Sequence, residues 1–409
     1  MTGGQVAPVR LAVVGGHRGR SFDQTLAVLS GRAELVAACD VDAEVLAAWQ
    51  RDHRDARCYA DYVDLLADDA VDAVLLATPL AVHAAQAVAA LEAGKHVLSE
   101  VIAADTLDGC WALVDAVERT GRTYMMAENY CFSRPNLMVE NLAARGCFGR
   151  VVHLEGAYLH DCRSLLHRPG GELTWRGEAR RDFAGVIYPT HSLGPLARWL
   201  RAANGPDDRL DTLTACMSAS PSVRRFVAEQ FGPEHYGADG DERWRQGDSG
   251  SVLIRSSGGA VLDLRVDWVS ARPHDMTHYG LQGTHGAYLT GRYEGEDPLV
   301  WLEGRSPGRS EGLAGQQPAQ WEPLWRYAEE FEHPLWRRWP DTARRTGHGG
   351  GDFFVVDEFV RAIQEQRPPA VDVYDAATWS SVAPLSAQSI AAGGAPVRIP
   401  DFRAGQRGH

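Results

Sequence analysis

Apolar residues in the first third of the chain form short runs, and stretches with helical spacing separate them. The runs are VRLAVVGG, ELVAACDVD, VDAVLLATP, KHVLSE and TYMMAENY, and the helical stretches include EVLAAWQRDH, HAAQAVAALEAG and LDGCWALVDAVERTG. Short strands alternating with helices of about 10–15 residues are typical of a doubly wound parallel sheet. We therefore predict an α/β domain of this class over residues 1–127.

Beyond residue 128 the apolar positions recur with a period of two. The segments VVHLEGAYLHDC, SGSVLIRSS, GAVLDLRVDWVSARP and HYGLQGTHGAYLTG alternate in this way and are separated by glycine turns. The pattern predicts a large, open, mostly antiparallel sheet. Two helices, PLARWLRAAN and DFFVVDEFVRAIQEQ, are expected on it. We predict a second, α+β domain over residues 128–409.

Composition narrows the class of protein. The 409 residues are 44% hydrophobic and 23% charged, and the net charge of −13 argues against nonspecific nucleic-acid binding. MTGGQVAPVR has no apolar core of a signal peptide, and no apolar run reaches the roughly 18 residues of a membrane helix. The seven cysteines include no CxxC pair, so we expect reduced thiols, no cysteine metal site and a cytoplasmic protein.

A glycine-rich turn closes the first predicted strand and indicates a nucleotide site. GGHRGR places Gly15, Gly16, His17, Arg18 and Gly19 before a helix, where backbone N–H groups can approach a pyrophosphate. The spacing is not a regular GxGxxG, so a plain tight turn is the alternative interpretation.

Acidic and polar residues follow the next strands. Asp40 ends the second strand about two dozen residues after the glycines, where a carboxylate can bind the ribose hydroxyls of NAD. Val41 and Asp42 would not accommodate a 2′-phosphate, so NAD is favoured over NADP; a simple turn residue is the alternative for Asp40. Thr78, Pro79 and Glu100 follow later strands, and the carboxyl ends of such strands meet at one crevice.

The order of these motifs resembles the Gfo/Idh/MocA oxidoreductases. GGHRGR, CDVD, ATPLAVHA, EAGKHVLSE and AENY occur in the family's order, and GLQGTHGAY is similar to its characteristic sheet strand. The resemblance implies a Rossmann domain, a C-terminal domain with an open sheet, tightly held NAD and a bound sugar or cyclitol. Most members carry a lysine that handles the alcohol proton, and this chain has Val101 there.

Four further motifs resemble one branch, the NAD-dependent glycoside hydrolases of family 109, which also lack that lysine. The motifs are GAYLHDCR, TWR, YPTHSLGP and HGGGDF. The resemblance adds His83 and Asn129 to the cofactor contacts. The positions that it implies for sugar contact are Glu128, Tyr158, His160, Arg176, Tyr188 and His191. His348 is a further substrate-binding candidate in a matched motif, for which a simple loop residue is the alternative.

The residue types suit proton transfer. Tyr158 and His160 are two apart on a predicted strand, so they face one side of the sheet; two satisfied sheet residues are the alternative. His191 would lie in the first turn of a helix, which disfavours imidazolium and favours a neutral base; a capping segment is the alternative.

These residues fit a redox-neutral hydrolysis of a hexoside, and the resemblance to family 109 implies an N-acetylgalactosaminide as one candidate. NAD would oxidise a ring hydroxyl transiently, elimination would release the aglycone, and water addition and re-reduction would follow. We assign alcohol deprotonation to His191 with Tyr188 and C–H deprotonation to Tyr158. The leaving-group donor stays open among His160, water and Glu128.

Two rival functions use the same sequence features. The first is a net NAD-dependent sugar dehydrogenase that makes a keto-sugar. The second is a noncatalytic, NAD-bound sensor, which would not need two candidate bases. The resemblance also implies a homo-oligomer, a dimer or tetramer, with no nucleic-acid or membrane partner.

Overall fold

The computed structural model describes residues 7–238, 243–269, 271–273, 275–293, 295–308 and 318–405. Their contacts divide them into two compact units. The first takes in the chain up to Arg134, Pro334–Ser381 and the residues from Asp401; the second takes in Pro135–His333 and Val382–Pro400. The sequence predicted a first domain made of residues 1–127 alone. The first unit also includes the two later segments, Pro334–Ser381 and the residues from Asp401.

The first unit contains a six-stranded sheet. Its strands are β1 Val9–Val14, β2 Ala33–Cys39, β3 Arg57–Tyr59, β4 Ala73–Leu76, β5 His96–Ser99 and β6 Tyr124–Met126. The spatial order is β3-β2-β1-β4-β5-β6, and every neighbouring pair is parallel. The central strands are buried along almost their whole length, which explains their continuous apolar runs. The prediction of a doubly wound parallel sheet is confirmed.

Helices connect these strands. They are α1 Gly16–Gly19, α2 Asp23–Val28, α3 Ala43–Asp52, α4 Tyr62–Leu66, α5 His83–Glu92 and α6 Leu107–Thr120. Short 3₁₀ turns cover Arg20–Phe22, Leu80–Val82 and Asn129–Phe132. Helices α3, α4 and α6 each begin after a residue whose side chain caps the helix. Asp42 accepts hydrogen bonds from the first backbone N–H groups of α3, and Thr106 does the same for α6.

The second unit contains a nine-stranded sheet. Its strands are β7 Val151–Leu159, β8 Leu210–Met217, β9 Ser249–Ser256, β10 Val261–Asp267, β11 Asp275–Gly283, β12 Gly286–Leu289, β13 Leu299–Leu302, β14 Glu322–Pro323 and β15 Val397–Arg398. The order is β14-β13-β12-β11-β7-β10-β9-β8-β15. Among the strands described, only β7 and β10 pair in parallel, so the predicted mostly antiparallel sheet is confirmed.

In the part of the chain that the structure describes, five α-helices follow β6 before the chain returns to the first unit. They are α7 Arg134–Ala144, α8 Trp175–Asp182, α9 Thr190–Asn204, α10 Pro221–Phe231 and α11 Ala328–Phe331, with 3₁₀ turns at Arg163–Leu165 and Leu324–Tyr327. Helix α9 packs across β7, β10 and β11, as predicted. Its Trp199 is buried between Tyr279 and Tyr288 and donates a hydrogen bond to the carbonyl of Asn136.

The remaining helices are α12 Pro334–Arg338, α13 Pro340–Ala343, α14 Gly351–Gln364 and α15 Val373–Ala391, with a 3₁₀ turn at His348–Gly350. The expectation that DFFVVDEFVRAIQEQ lies on the large sheet is wrong, because α14 packs against β1, β5 and α2 of the first unit. Its all-round burial suits either sheet, so periodicity could not choose between them. Among the described residues, no helix is long and apolar enough to cross a membrane.

Candidate active site

The glycine turn after β1 is built so that no other residue fits its first position. Gly15 has φ 87°, and a Cβ there would lie 2.6 Å from the backbone carbon of Ala77. A Cβ on Gly19 would lie 2.2 Å from the Val13 side chain. The helical stretch predicted after the turn is present. It consists of the single turn of α1, a 3₁₀ segment and α2.

Asp40 fixes this turn to the end of β2. One carboxylate oxygen accepts the N–H of Gly16 at 2.7 Å, and the other accepts the N–H of Asp42 at 2.9 Å. Val41 beside it is 94% exposed. A bare backbone turn next to a carboxylate, with no room for a Cβ, is the donor set that suits the pyrophosphate and ribose of NAD. The residues present therefore fit the cofactor.

The loop after β4 is held by His83. Both ring nitrogens lie at hydrogen-bond distance from main-chain carbonyls, Nδ1 at 2.8 Å from Ile102 and Nε2 at 2.7 Å from Thr78. His83 is buried and both of its ring nitrogens are engaged by these carbonyls. It therefore holds the Thr78–Pro79 turn in position and has no ring nitrogen available to a ligand. The Thr78 hydroxyl donates to Gln86 at 2.6 Å.

The segment after β5 carries a carboxylate but no lysine. Glu100 accepts hydrogen bonds from Arg18, whose Nε lies 2.8 Å away and whose terminal nitrogen lies 2.7 Å away. Val101 is 4% exposed and Ile102 is fully buried, so both side chains belong to the core. Two residues of the predicted cofactor set, Arg18 and Glu100, are thus brought together.

The loop before α14 supplies a histidine–carboxylate pair in the same unit. His348 Nδ1 lies 3.0 and 2.9 Å from the two carboxylate oxygens of Asp352, and Asn129 Nδ2 donates to Asp352 at 2.9 Å. A Cβ on Gly351 would lie 2.6 Å from the Asn129 carbonyl, so glycine allows this close approach. Tyr130 meets His348 edge to face at 6.4 Å.

The electrostatics of this pair favour its charged form. The hydrogen bond to Asp352 raises the pKa of His348, and burial opposes that effect. Burial works to raise the pKa of Asp352, but hydrogen bonds from His348 and Asn129 and the charge of Arg18 lower it overall. His348 therefore keeps its proton to higher pH than an exposed histidine and can serve as an acid.

Sugar-contact candidates of the second unit form an aromatic cluster. The ring of Tyr158 lies 5.6 Å from that of His160 and 4.8 Å from that of His191, and the ring of Tyr188 lies 6.3 Å from that of His191. Tyr158 belongs to β7 and His160 directly follows it. Tyr158 and His191 are largely buried. The structure thus brings these four candidates together.

The first turn of α9 is held in place from two sides. The hydroxyl of Tyr279 donates to the carbonyl of His191 at 2.6 Å. A Cβ on Gly156 would lie 2.2 Å from the carbonyl oxygen of Ser192, so glycine in β7 lets the turn pack directly on the strand. These contacts fix the backbone that carries His191.

The other two sugar-contact candidates have local contacts of their own. Arg176, on α8, stacks over the ring of its neighbour Trp175 at 4.3 Å. Glu128 is fully buried in the first unit and accepts the N–H of Tyr130 at 3.3 Å. Within the described residues, no cluster of three or more His, Cys, Asp or Glu side chains could hold a metal ion.

Sequence reasoning missed several residues that build the site. Asp352 could have been found, because it follows His348 by four residues in a matched motif. Tyr279, which holds the turn of His191, had no signal of its own. Trp268, whose ring lies 4.9 Å from that of Tyr188, also had none.

Comparison with known proteins identifies the family to which the chain belongs. Residues 9–128 match a model described as oxidoreductase family, NAD-binding Rossmann fold, and residues 132–408 match one described as glycosyl hydrolase 109, C-terminal domain. A glycosyl hydrolase family 109 protein of Solibacter usitatus (strain Ellin6076) is 36% identical, over 97% of this chain and 89% of the relative. A relative so described from Akkermansia muciniphila is 33% identical, over 98% and 85%.

Solved structures confirm the fold. A levoglucosan dehydrogenase in complex with NADH and levoglucosan superposes with a TM-score of 0.76 at 21% identity, over 96% of this chain and 100% of that one. An oxidoreductase domain protein from Kribbella flavida gives 0.73 at 21% identity, with the same coverage. The predicted family and the prediction of NAD are confirmed: the chain belongs to glycosyl hydrolase family 109 and carries an NAD-binding Rossmann domain of the oxidoreductase family.

Proposed function

We propose that this protein hydrolyses a hexoside without net oxidation, with an N-acetylgalactosaminide as a candidate substrate. The observation that carries the proposal is a set of groups that can transfer protons. They are the aromatic cluster of Tyr158, His160, Tyr188 and His191 and the His348–Asp352 pair. The chain belongs to family 109, and a buried valine occupies the position of the dehydrogenase lysine. A simple sugar dehydrogenase needs one alcohol base. Hydrolysis by oxidation, elimination and re-reduction needs three proton transfers.

Gly15, Gly16, Asp40, Thr78 and Glu100 would hold the cofactor. When bound, NAD⁺ supplies reversible hydride acceptance, which converts a ring hydroxyl to a ketone and back. The ketone makes the adjacent C–H acidic, and this activates the neighbouring anomeric bond toward elimination. The chain's own residues then move the protons.

In the proposed assignment, His191 takes the proton of the alcohol, with the Tyr188 hydroxyl beside it. Tyr158 takes the acidified C–H proton, and its ring contacts with His160 and His191 orient it. We add His348 as the leaving-group donor. Its hydrogen bond to Asp352 raises its pKa, so it still carries a proton for the leaving group at a pH where an exposed histidine would have lost its own.

The test is incubation of the purified protein, without added nicotinamide, with a panel of aryl hexosides in deuterated water. Aglycone release with deuterium next to the anomeric carbon and no net NADH is the expected result. NADH accumulation without aglycone release, once NAD⁺ is added, would instead establish a dehydrogenase and overturn the proposal.

The C–H base has its own test. Tyr158→Phe should abolish solvent deuterium exchange into bound sugar because the phenol oxygen is removed while the ring stays. Tyr293→Phe is the matched control, since Tyr293 is 60% exposed and lies outside the aromatic cluster. Undiminished exchange in Tyr158→Phe would show that another group removes this proton.

A further inference from the structure

A small, partly enclosed cavity lies in the second unit. It offers about 10 Å³ to the centre of a water-sized sphere, and Arg180, Gln246 and Trp268 are among the residues that line it. All three are deeply buried, with exposures of 0%, 4% and 3%. About 10–15 Å³ on this measure is the room that one water molecule needs.

Each of these three side chains keeps one buried polar atom without a hydrogen-bond partner among the described residues. The atoms are Nε of Arg180, Nε1 of Trp268 and Oε1 of Gln246. Buried polar atoms are almost always hydrogen-bonded, so three such atoms on residues that line one cavity require an explanation. Two of them are donors and one is an acceptor.

The acceptor determines what can fill the cavity. Gln246 Nε2 donates to the carbonyl of Gly185 at 3.0 Å, which fixes the amide so that Oε1 is the atom left over. An anion could accept from Arg180 and Trp268 but has nothing to donate to Gln246. A metal cation could not accept from the two donors. Water does both and makes about three hydrogen bonds when buried.

The charge of Arg180 also favours a water molecule as the occupant of the cavity. Its terminal nitrogen donates to the carbonyl of Gly247 at 3.0 Å, and the carboxylate of Asp248 is 3.7 Å away, too far for a hydrogen bond. Burial lowers the pKa of Arg180 to about 10, and Asp248 opposes that effect. A guanidinium with this little hydration gains from one water molecule at Nε.

We propose that a single buried water molecule accepts hydrogen bonds from Arg180 and Trp268, donates one to Gln246, and so positions Trp268 against Tyr188. The positioning part rests on the proposed function of Tyr188; the water site itself does not. Trp268 and Tyr188 have ring centroids 4.9 Å apart. Tyr188 has φ 62°, a conformation that a non-glycine residue keeps only when its surroundings hold it.

Backbone contacts make Trp268 a suitable support. Its carbonyl accepts the N–H of Cys162 at 2.8 Å, and the carbonyl of Asp267 accepts the N–H of His160 at 2.8 Å. Trp268, which carries the indole, therefore directly follows β10, whose last residue Asp267 holds the backbone of His160. Arg180, Gln246 and Trp268 are positioning residues in this scheme and need not touch substrate.

The first experiment is a crystal structure of the full chain at a resolution that shows ordered water. A density peak within hydrogen-bond distance of all three atoms is the expected result. An empty cavity, or side chains turned so that the three atoms bond to protein, would overturn the water site. Anomalous density after a bromide soak would also overturn it, because an anion would then be the occupant.

The second experiment is Trp268→Phe, which removes the indole N–H and keeps a ring beside Tyr188. We expect kcat for aglycone release to fall about five- to tenfold, the effect of one lost hydrogen bond, with KM unchanged. Trp321→Phe is the matched control, since Trp321 is 46% exposed. Wild-type kcat, or kcat and KM changing together with a lowered unfolding temperature, would overturn the positioning role.

A structure of Trp268→Phe separates this inference from the proposed function. If the wild type releases no aglycone, the proposed function fails, but the water peak and the Tyr188 conformation can still be read. Displacement of the Tyr188 ring or loss of its positive φ in the variant would support positioning. An unchanged Tyr188 would overturn it.

Discussion

Replacing Asp352 by asparagine tests the proposed acid directly. Asp352 is 1% exposed and accepts hydrogen bonds from His348 at 2.9 and 3.0 Å and from Asn129 at 2.9 Å. Asparagine keeps the size of the side chain but removes its negative charge. The ring of His348 then loses the partner that holds its proton.

The size of the effect follows from the contacts. A hydrogen bond to a charged group contributes about 1.5–3 kcal/mol. The His348 side chain is 31% exposed, so solvent screening places the value near the lower end, about 1.5 kcal/mol. Losing this contribution lowers the pKa of His348 and leaves its protonated form less stable by about that amount.

Because His348 is proposed to act as an acid, activity should be lost as pH rises through its pKa. In Asp352→Asn this alkaline limb of kcat/KM should move toward lower pH. The pH dependence of stability should change as well. A raised histidine pKa stabilises the fold at low pH and loses its effect as pH rises through that pKa; the lowered pKa of Asp352 stabilises at high pH and loses its effect as pH falls through it.

The assay is aglycone release across pH, with thermal unfolding measured in the same buffers. Asp357→Asn is the matched control: Asp357 is a carboxylate on the same helix, 1% exposed, and it pairs with Arg32. We expect that control to lower the unfolding temperature and leave the alkaline limb in place. If Asp352→Asn behaves in the same way, His348 is not the acid and the pair only stabilises the loop.

Two other substitutions probe the backbone of the site. Gly15→Ala should reduce the NAD retained by the purified protein at least tenfold, because φ 87° and a Cβ 2.6 Å from the Ala77 backbone are both unfavourable; the bound cofactor is measured by absorbance after denaturation. Gly156→Ala should lower kcat by displacing the turn of α9 at Ser192, whereas Gly280→Ala, whose Cβ would have ordinary contacts of 3.4 Å or more, should not. Equal kcat in the last two variants would refute the importance of that contact.

The sequence predicted well those strands and helices whose own residues are enough to identify the type of secondary structure. β1 and β4 are buried along almost their whole length, and a continuous apolar run between turn residues suffices to identify such strands. Helix α14 shows the limit. Eleven of its fourteen residues are buried, so no polar face indicates which side meets solvent or which sheet it covers. Its partner is determined by the chain's return to the first unit, which no local pattern encodes.

The candidate site likewise contains residues that the sequence identifies and residues that only the folded structure identifies. Motif residues such as His191 and Tyr158 are recognisable because reactive side chains stand out against the apolar residues around them. Their supports are ordinary residues. Tyr279 acts through a hydroxyl bonded to the His191 carbonyl, and Gly156 acts by having no Cβ. Contacts between β7, β11 and α9 create both roles, so only the folded chain reveals them.

The valine after Glu100 is best understood from what surrounds it. A lysine at position 101 would place its aliphatic stem in the core that Val101 and Ile102 now fill, while Glu100 is already engaged by Arg18. Restoring the lysine alone would therefore add a cation without releasing the carboxylate. The groups that we propose to transfer protons lie elsewhere, at His191 and Tyr158 in the second unit and at His348 in the first. A reaction that only oxidised an alcohol would have no use for three such groups, so their number favours elimination and hydration as the steps that follow oxidation.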